Sequence, residues 1–147
     1  MEYDRYYIEA SSSLLKFEFH SEGPKGKIKK QIVFKAFKDN PNVFNLGFGD
    51  VDETGEINDM VITNNHDSTK VLTTVALTVY KFYEKHPDSY VFITGSTKTR
   101  TRLYRIGITN NIDKIKNDFD VYGFIEKSWE SFEKDCDYEA FLIKKKK

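Results

Sequence analysis

Ser68-Thr69-Lys70-Val71-Leu72-Thr73-Thr74-Val75-Ala76-Leu77-Thr78-Val79-Tyr80-Lys81-Phe82-Tyr83-Glu84-Lys85 is the stretch whose reading decides the fold. Its apolar positions recur at helical spacing and cover more than one face, so this helix needs to be clasped rather than laid on a surface. Asn64-Asn65-His66-Asp67-Ser68 supplies a start, with Asp67 or Ser68 as the capping residue, and Pro87 supplies the stop. Around it the pattern changes to a period of two: Leu15 to His20, Ile28 to Phe37 and Val43 to Phe48 before, Val91 to Ile93, Val121 to Ile125 and Tyr138 to Ile143 after. One nearly all-apolar helix among alternating strands predicts an α+β fold, a curved and mainly antiparallel sheet of six to eight strands wrapped around one long central helix.

The length of 147 residues fits a single domain spanning residues 1–147, long enough to bury about two-thirds of the surface that its unfolded form exposes. Lys and Arg number 23 and Asp and Glu 23, so any affinity for nucleic acid has to come from a local patch and not from the net field. Aromatic residues make up 15% of the chain, which favours a sheet-rich core. Cys136 is the one cysteine and forms no internal disulfide. Met1 to Arg5 has neither the basic nor the apolar segment of a leader, and no apolar run approaches membrane-spanning length, so a cytoplasmic protein away from membranes is expected.

The chain opens on an expected strand from Tyr3 to Glu9. The turn Ser21-Glu22-Gly23-Pro24-Lys25-Gly26 then joins two strands as a hairpin, with Phe17 and Phe19 facing inward and Ile32, Phe34 and Ala36 sharing one face. Six lysines and no acid lie between Lys25 and Lys38, and they read as guards of a solvent face or sheet edge rather than as a binding surface. Asn40-Pro41-Asn42 is the next turn. Asp50 to Asp59 imitates a calcium loop at its first, third and sixth positions, but Val61 stands where a bidentate Glu is required, so an acidic hairpin leading to a strand over Met60 to Thr63 is expected instead. His20, His66 and His86 form no metal or acid–base constellation, no nucleophile stands at a recognisable spacing, and neither cofactor nor metal is expected. After Asn110 or Asn111 a short helix should carry Ile112, Ile115 and Phe119, and Trp129 and Phe132 should pin a connecting turn to the core.

The chemically suggestive segment is Tyr90 to Ile108. A short apolar strand breaks at Thr94-Gly95-Ser96-Thr97 and is followed by Lys98-Thr99-Arg100-Thr101-Arg102-Leu103-Tyr104-Arg105-Ile106, a second, shorter and basic helix. Gly95 relaxes the turn, Ser96 or Thr97 caps, and the free N–H groups of a helix start attract anions. Lys98, Arg102 and Arg105 fall on one face, Arg100 and Tyr104 on its neighbour, and Leu103 and Ile106 toward the core. The candidate phosphate or nucleic-acid site is therefore Gly95, Ser96, Thr97, Lys98, Arg100, Arg102, Tyr104 and Arg105. A nucleotidyltransferase would need paired carboxylates on the next strand, and none follow, so binding is expected ahead of catalysis.

Asn45-Leu46-Gly47-Phe48-Gly49-Asp50, Asn64-Asn65 with Lys70 to Ala76, Gly95-Ser96-Thr97 with Arg100 to Arg105, and Tyr138-Glu139-Ala140-Phe141-Leu142 resemble a family of small uncharacterised proteins of Bacteroidota, over roughly residues 40 to 143. The resemblance implies relatives and brings no activity. A sheet meander followed by a long helix also resembles the Whirly and PUR folds that bind single-stranded nucleic acid, at the level of fold alone. Two functions follow: a binding module for nucleic acid or another phosphate-bearing partner, with aromatic sheet positions available for stacking, or a regulatory, antitoxin-like interaction protein whose arginines meet acids of its own chain or of a protein partner or second protomer.

Overall fold

The computed structural model describes residues 4–58 and 64–147. The strand expected over Met60 to Thr63 lies outside them, as does Tyr3. The fold is α+β, with a mostly antiparallel, open sheet and, among the described residues, three helices. It divides into two compact units, Met1–Lys35 with Gly47–His86, and Ala36–Leu46 with Pro87–Lys147. The long strands β3 (Gly26–Phe37) and β4 (Asn40–Val51) contribute residues to both.

In the first unit the strand order is β1 (Glu9–Ala10), β2 (Lys16–Gly23), β3, β4, with β5 (Ile57–Asn58) also on β4. The expected strand at Tyr3 to Glu9 shrinks to β1, because Tyr6 leaves the sheet to bury its ring against Phe19, at 5.6 Å between centroids. The hairpin closes with Gly23 opposite Gly26, whose φ of 91° only glycine adopts at no cost. Strand β4 begins at Asn40, so the turn lies at Lys38-Asp39 and not at Pro41. Helix α1 (Ser68–Tyr83) buries Val71, Val75, Val79, Phe82 and Tyr83, and Phe82 stacks on Phe34 at 4.5 Å.

Asp67 does occupy the N-cap position of α1, yet its carboxylate caps nothing. It accepts hydrogen bonds from the hydroxyls of Tyr6 and Ser21, each at 2.6 Å. Asn65, also buried, accepts from the Lys25 N–H and donates to the Gly26 carbonyl, so the helix start is tied to the hairpin through side chains. The acidic hairpin expected after β4 is present: Asp52 accepts from the Thr54 and Glu56 N–H groups and from the Thr54 hydroxyl. That hydroxyl first, then the Glu56 N–H, hold the Asp52 carboxyl below its ordinary value. Among the lysines thought to guard a wet face, Lys30 is the exception. It is buried, 2.6 Å from Asp50 and 5.8 Å from the centre of the Phe48 ring.

In the second unit the order is β4, β6 (Tyr90–Ile93), β9 (Ala140–Lys145), β7 (Phe119–Ile125), β8 (Ser128–Ser131). The β4–β6 pair is parallel and the rest are antiparallel. Helix α2 (Lys98–Asn110) and helix α3 (Ile112–Asp118) link β6 to β7. Phe119, expected on the short helix, opens β7 instead. Gly123 is obligatory at the centre of β7, because a Cβ there would lie 2.3 Å from the Tyr138 ring.

A candidate phosphate-binding edge

Strand β6 ends at Ile93 and the chain turns through Thr94 to Thr97 into α2. Thr94 is fixed by its hydroxyl, which donates to the Glu139 carbonyl at 2.9 Å. Gly95 is needed for close approach, since a Cβ would meet the Thr101 backbone nitrogen at 2.4 Å. Its own N–H donates to the Thr101 hydroxyl at 3.0 Å, and that hydroxyl donates onward to the Thr97 carbonyl at 3.2 Å. Thr97, in extended backbone, accepts from the Arg100 N–H at 3.2 Å, which is the N-cap bond that a threonine there supplies. Thr101, which the sequence reading passed over, is thus the buried pin of the junction. The only signal for it was a hydroxyl one turn after the cap.

The eight candidate residues separate into two groups. Gly95, Ser96, Thr97 and Arg100 come together at the start of α2, where Arg100 Nη1 donates to the Ser96 hydroxyl at 2.5 Å. Lys98 and Arg102, one turn apart, are exposed and carry no hydrogen bond or ion pair among the described residues. Arg105 is drawn away from this edge, and Tyr104 is half-buried on α2. The Arg105 guanidinium donates to the Cys136 carbonyl at 3.0 Å and lies 3.6 Å from the Asp137 carboxylate, so it ties α2 to the loop before β9. Leu103 and Ile106, expected to face the core, are each 39% exposed. The buried positions of α2 are Thr101 and Ile108, seven apart, and the bond from Gly95 to Thr101 sets the phase of the helix.

Among the described residues, those able to hold a metal are Glu130, Glu133 and Cys136, whose ligand atoms lie within 4.8 Å of one another. One carboxylate is already engaged: the Tyr138 hydroxyl donates to Glu130 at 2.9 Å and accepts from the Glu133 N–H at 3.0 Å. Burial, reinforced by the Glu130 carboxylate, pushes the Tyr138 phenol well up. Burial and then Asp67 do the same to Tyr6.

Both folded phenols hold their protons above the unfolded value of 10.0, so their contribution to stability is complete below that pH and is lost as pH rises through the folded values. The thermal midpoint should be level from pH 8 to 9.5 and fall above about pH 10. Tyr138→Phe should make that fall shallower. An identical alkaline slope in wild type and variant would contradict the assignment.

Among the described residues no helix is long and apolar enough to cross a membrane. No curated protein and no solved structure matches the chain. A family model does, from residue 2 to residue 146, and the chain accordingly belongs to the family of unknown function DUF6934.

Proposed function

We propose that this chain is a non-catalytic, cytoplasmic binding module of bacterial origin that takes nucleic acid or another phosphate-bearing partner at the start of α2. The observation that carries this reading is the exposed pair Lys98 and Arg102, without internal partners among the described residues, on a helix whose first turn is held rigid by Gly95, Thr97 and Thr101. The N–H groups of Lys98 and Thr99 also have no acceptor among the described residues, so a phosphate oxygen there would meet backbone donors and two cations together. Ser96 and Arg100 form the rim, while Arg105 ties the helix to the loop before β9. A second reading, a protein-interaction or regulatory role, is favoured by one feature: the exposed Leu103 and Ile106 on the same helix, a contact stripe that nucleic acid would not use.

The test is a salt titration of affinity for single-stranded DNA and RNA, comparing wild type with the Lys98→Ala/Arg102→Ala double variant. Affinity should fall as salt rises, and the variant's slope should be shallower by about one to two units. Binding that is absent at low salt, or a slope the variant leaves unchanged, would refute the reading. Loss of a protein partner on Leu103→Ser/Ile106→Ser would favour the second.

A further inference from the structure

The second unit has a sheet face that the α2 edge does not use. Period-two alternation sends Val91, Ile93, Val121, Phe141 and Ile143 to the buried side. The cross-strand register places the intervening residues side by side on the other: Asn45 beside Phe92, Phe92 beside Leu142, Leu142 beside Tyr122, and Phe124 beside Trp129. None of these is buried, and Phe37, at one end of the aromatic row, and Trp129, within it, are 39% and 42% exposed. The rings touch in sequence, Phe37 to Phe92 at 5.7 Å, Phe92 to Trp129 at 6.2 Å and Trp129 to Phe124 at 5.1 Å between centroids. Their planes are inclined by 78°, 77° and 56°, so the rings meet edge to face or tilted and do not stack on one another.

Cations border this row. Lys144 stands over the Tyr90 ring at 5.0 Å. At the β7 end, Asp120, Tyr122 and Ser131, together with Phe119 and Val121 of the opposite parity, line an open cleft of about 210 Å³ flanked by Lys116 and Lys146. That volume is below the roughly 300 Å³ at which pockets enclose a whole small molecule. Aromatic faces in a row with cations at the margin are the two elements that single-stranded nucleic acid needs, bases to stack and backbone charge to neutralise.

We infer that the β4-β6-β9-β7-β8 face is a stacking platform for the bases of single-stranded nucleic acid, with Phe92 and Trp129 as its centre and Lys116, Lys144 and Lys146 taking the phosphates. This rests on the reading of the chain as a nucleic-acid binder but places the bases on a different surface. Stacking accepts any base, so the platform is tolerant of sequence, and a duplex, whose bases are already stacked, does not engage it.

The single tryptophan is the reporter. Titrating the full chain with a deoxythymidine 15-mer should quench Trp129 emission saturably, whereas an abasic phosphodiester 15-mer, inorganic phosphate and a duplex should not. With a labelled 15-mer followed by anisotropy, Phe92→Ala and Trp129→Ala should each weaken binding about tenfold or more, and Trp129→Phe should retain it within about threefold. Lys98→Ala/Arg102→Ala should weaken the affinity read by this quenching and flatten its salt slope. Binding without quenching, at an affinity that Phe92→Ala and Trp129→Ala do not alter, overturns the platform and leaves the α2 reading standing. Quenching whose affinity and salt slope ignore Lys98→Ala/Arg102→Ala overturns the α2 site and leaves the platform. A dimer in sedimentation that Trp129→Ala dissociates, with no quenching by the 15-mer, assigns the face to a second copy of the chain and overturns the platform.

Discussion

Asp50→Ala is expected to cost about 3–5 kcal/mol of folding stability, the loss typical of a buried ion pair broken from one side. Lys30 is 1% exposed on the side chain and its ammonium sits 2.6 Å from the Asp50 carboxylate. In the β2–β3 register it lies opposite Phe19, a core ring, and its Nζ is over Phe48. Alanine at 50 would leave that ammonium desolvated and short of its counter-charge, and the neighbouring rings cannot replace a carboxylate. The cost is therefore the penalty of removing one side of a desolvated pair, not the net worth of the pair. It follows that Lys30→Met/Asp50→Leu, which removes both charges and keeps the volume, should be far less damaging than Asp50→Ala alone and near neutral. Urea denaturation of the three proteins measures this. A loss below about 1 kcal/mol for Asp50→Ala would mean that the pair behaves as an exposed one.

Lys30 also marks where the sequence stops being legible. Parity alone places it with Ile32 and Phe34 on the inward side of β3, so its burial was written in the alternation. What overrode that reading was its charge, because a lysine on the inner face has no rationale until its partner is known. The partner lies 20 residues on, in a segment that reads as an acidic hairpin. The hairpin was recognised and the pairing was not, since period-two patterns carry no information about which strands meet. The same gap hides the parallel β4–β6 pair. By contrast, α1 and the capped start of α2 were legible because each is settled by neighbouring residues: a dense apolar repeat before Pro87 for one, Gly95-Ser96-Thr97 for the other.

Within the candidate site the reading went astray at Leu103 and Ile106. Apolarity does not set the phase of α2, because a helix tethered at its first turn takes its phase from the tether, here Thr101 under Gly95. Of the cations, spacing groups Lys98, Arg102 and Arg105 on one face, but it cannot reveal that the loop carrying Cys136 and Asp137 engages the last of them. Long-range contacts decide which member of a stripe is free, and only coordinates supply those.

Phe132→Ala should cost about 3–5 kcal/mol, while Trp129→Ala, three residues away and the larger truncation, should change stability by under about 1 kcal/mol. The sequence pairs these two aromatics as anchors of one turn. The structure separates them: Phe132 is 1% exposed against Tyr138 and Phe141, with ring centroids at 5.3 Å and 6.0 Å, and Trp129 is 42% exposed on strand β8. A strand turns alternate residues to opposite faces, so Trp129 goes to the aromatic face and Glu130 to the side of Tyr138, and the chain then dips to bury Phe132 where β8 ends. Emptying the Phe132 site leaves a ring-sized void under two packed aromatics. Truncating Trp129 removes a ring that water already reaches, so its loss should be read in binding and not in folding. Asp50 and Phe132 belong to different compact units, yet β3 and β4 run through both, and we propose that the chain unfolds as one domain. Asp50→Ala and Phe132→Ala should therefore each move a single shared transition, followed by far-ultraviolet circular dichroism and by Trp129 emission together. Two transitions, each shifted by only one of the variants, would show two domains; equal destabilisation by Phe132→Ala and Trp129→Ala would show that Trp129 is a core residue and would remove the basis for its role on the open face.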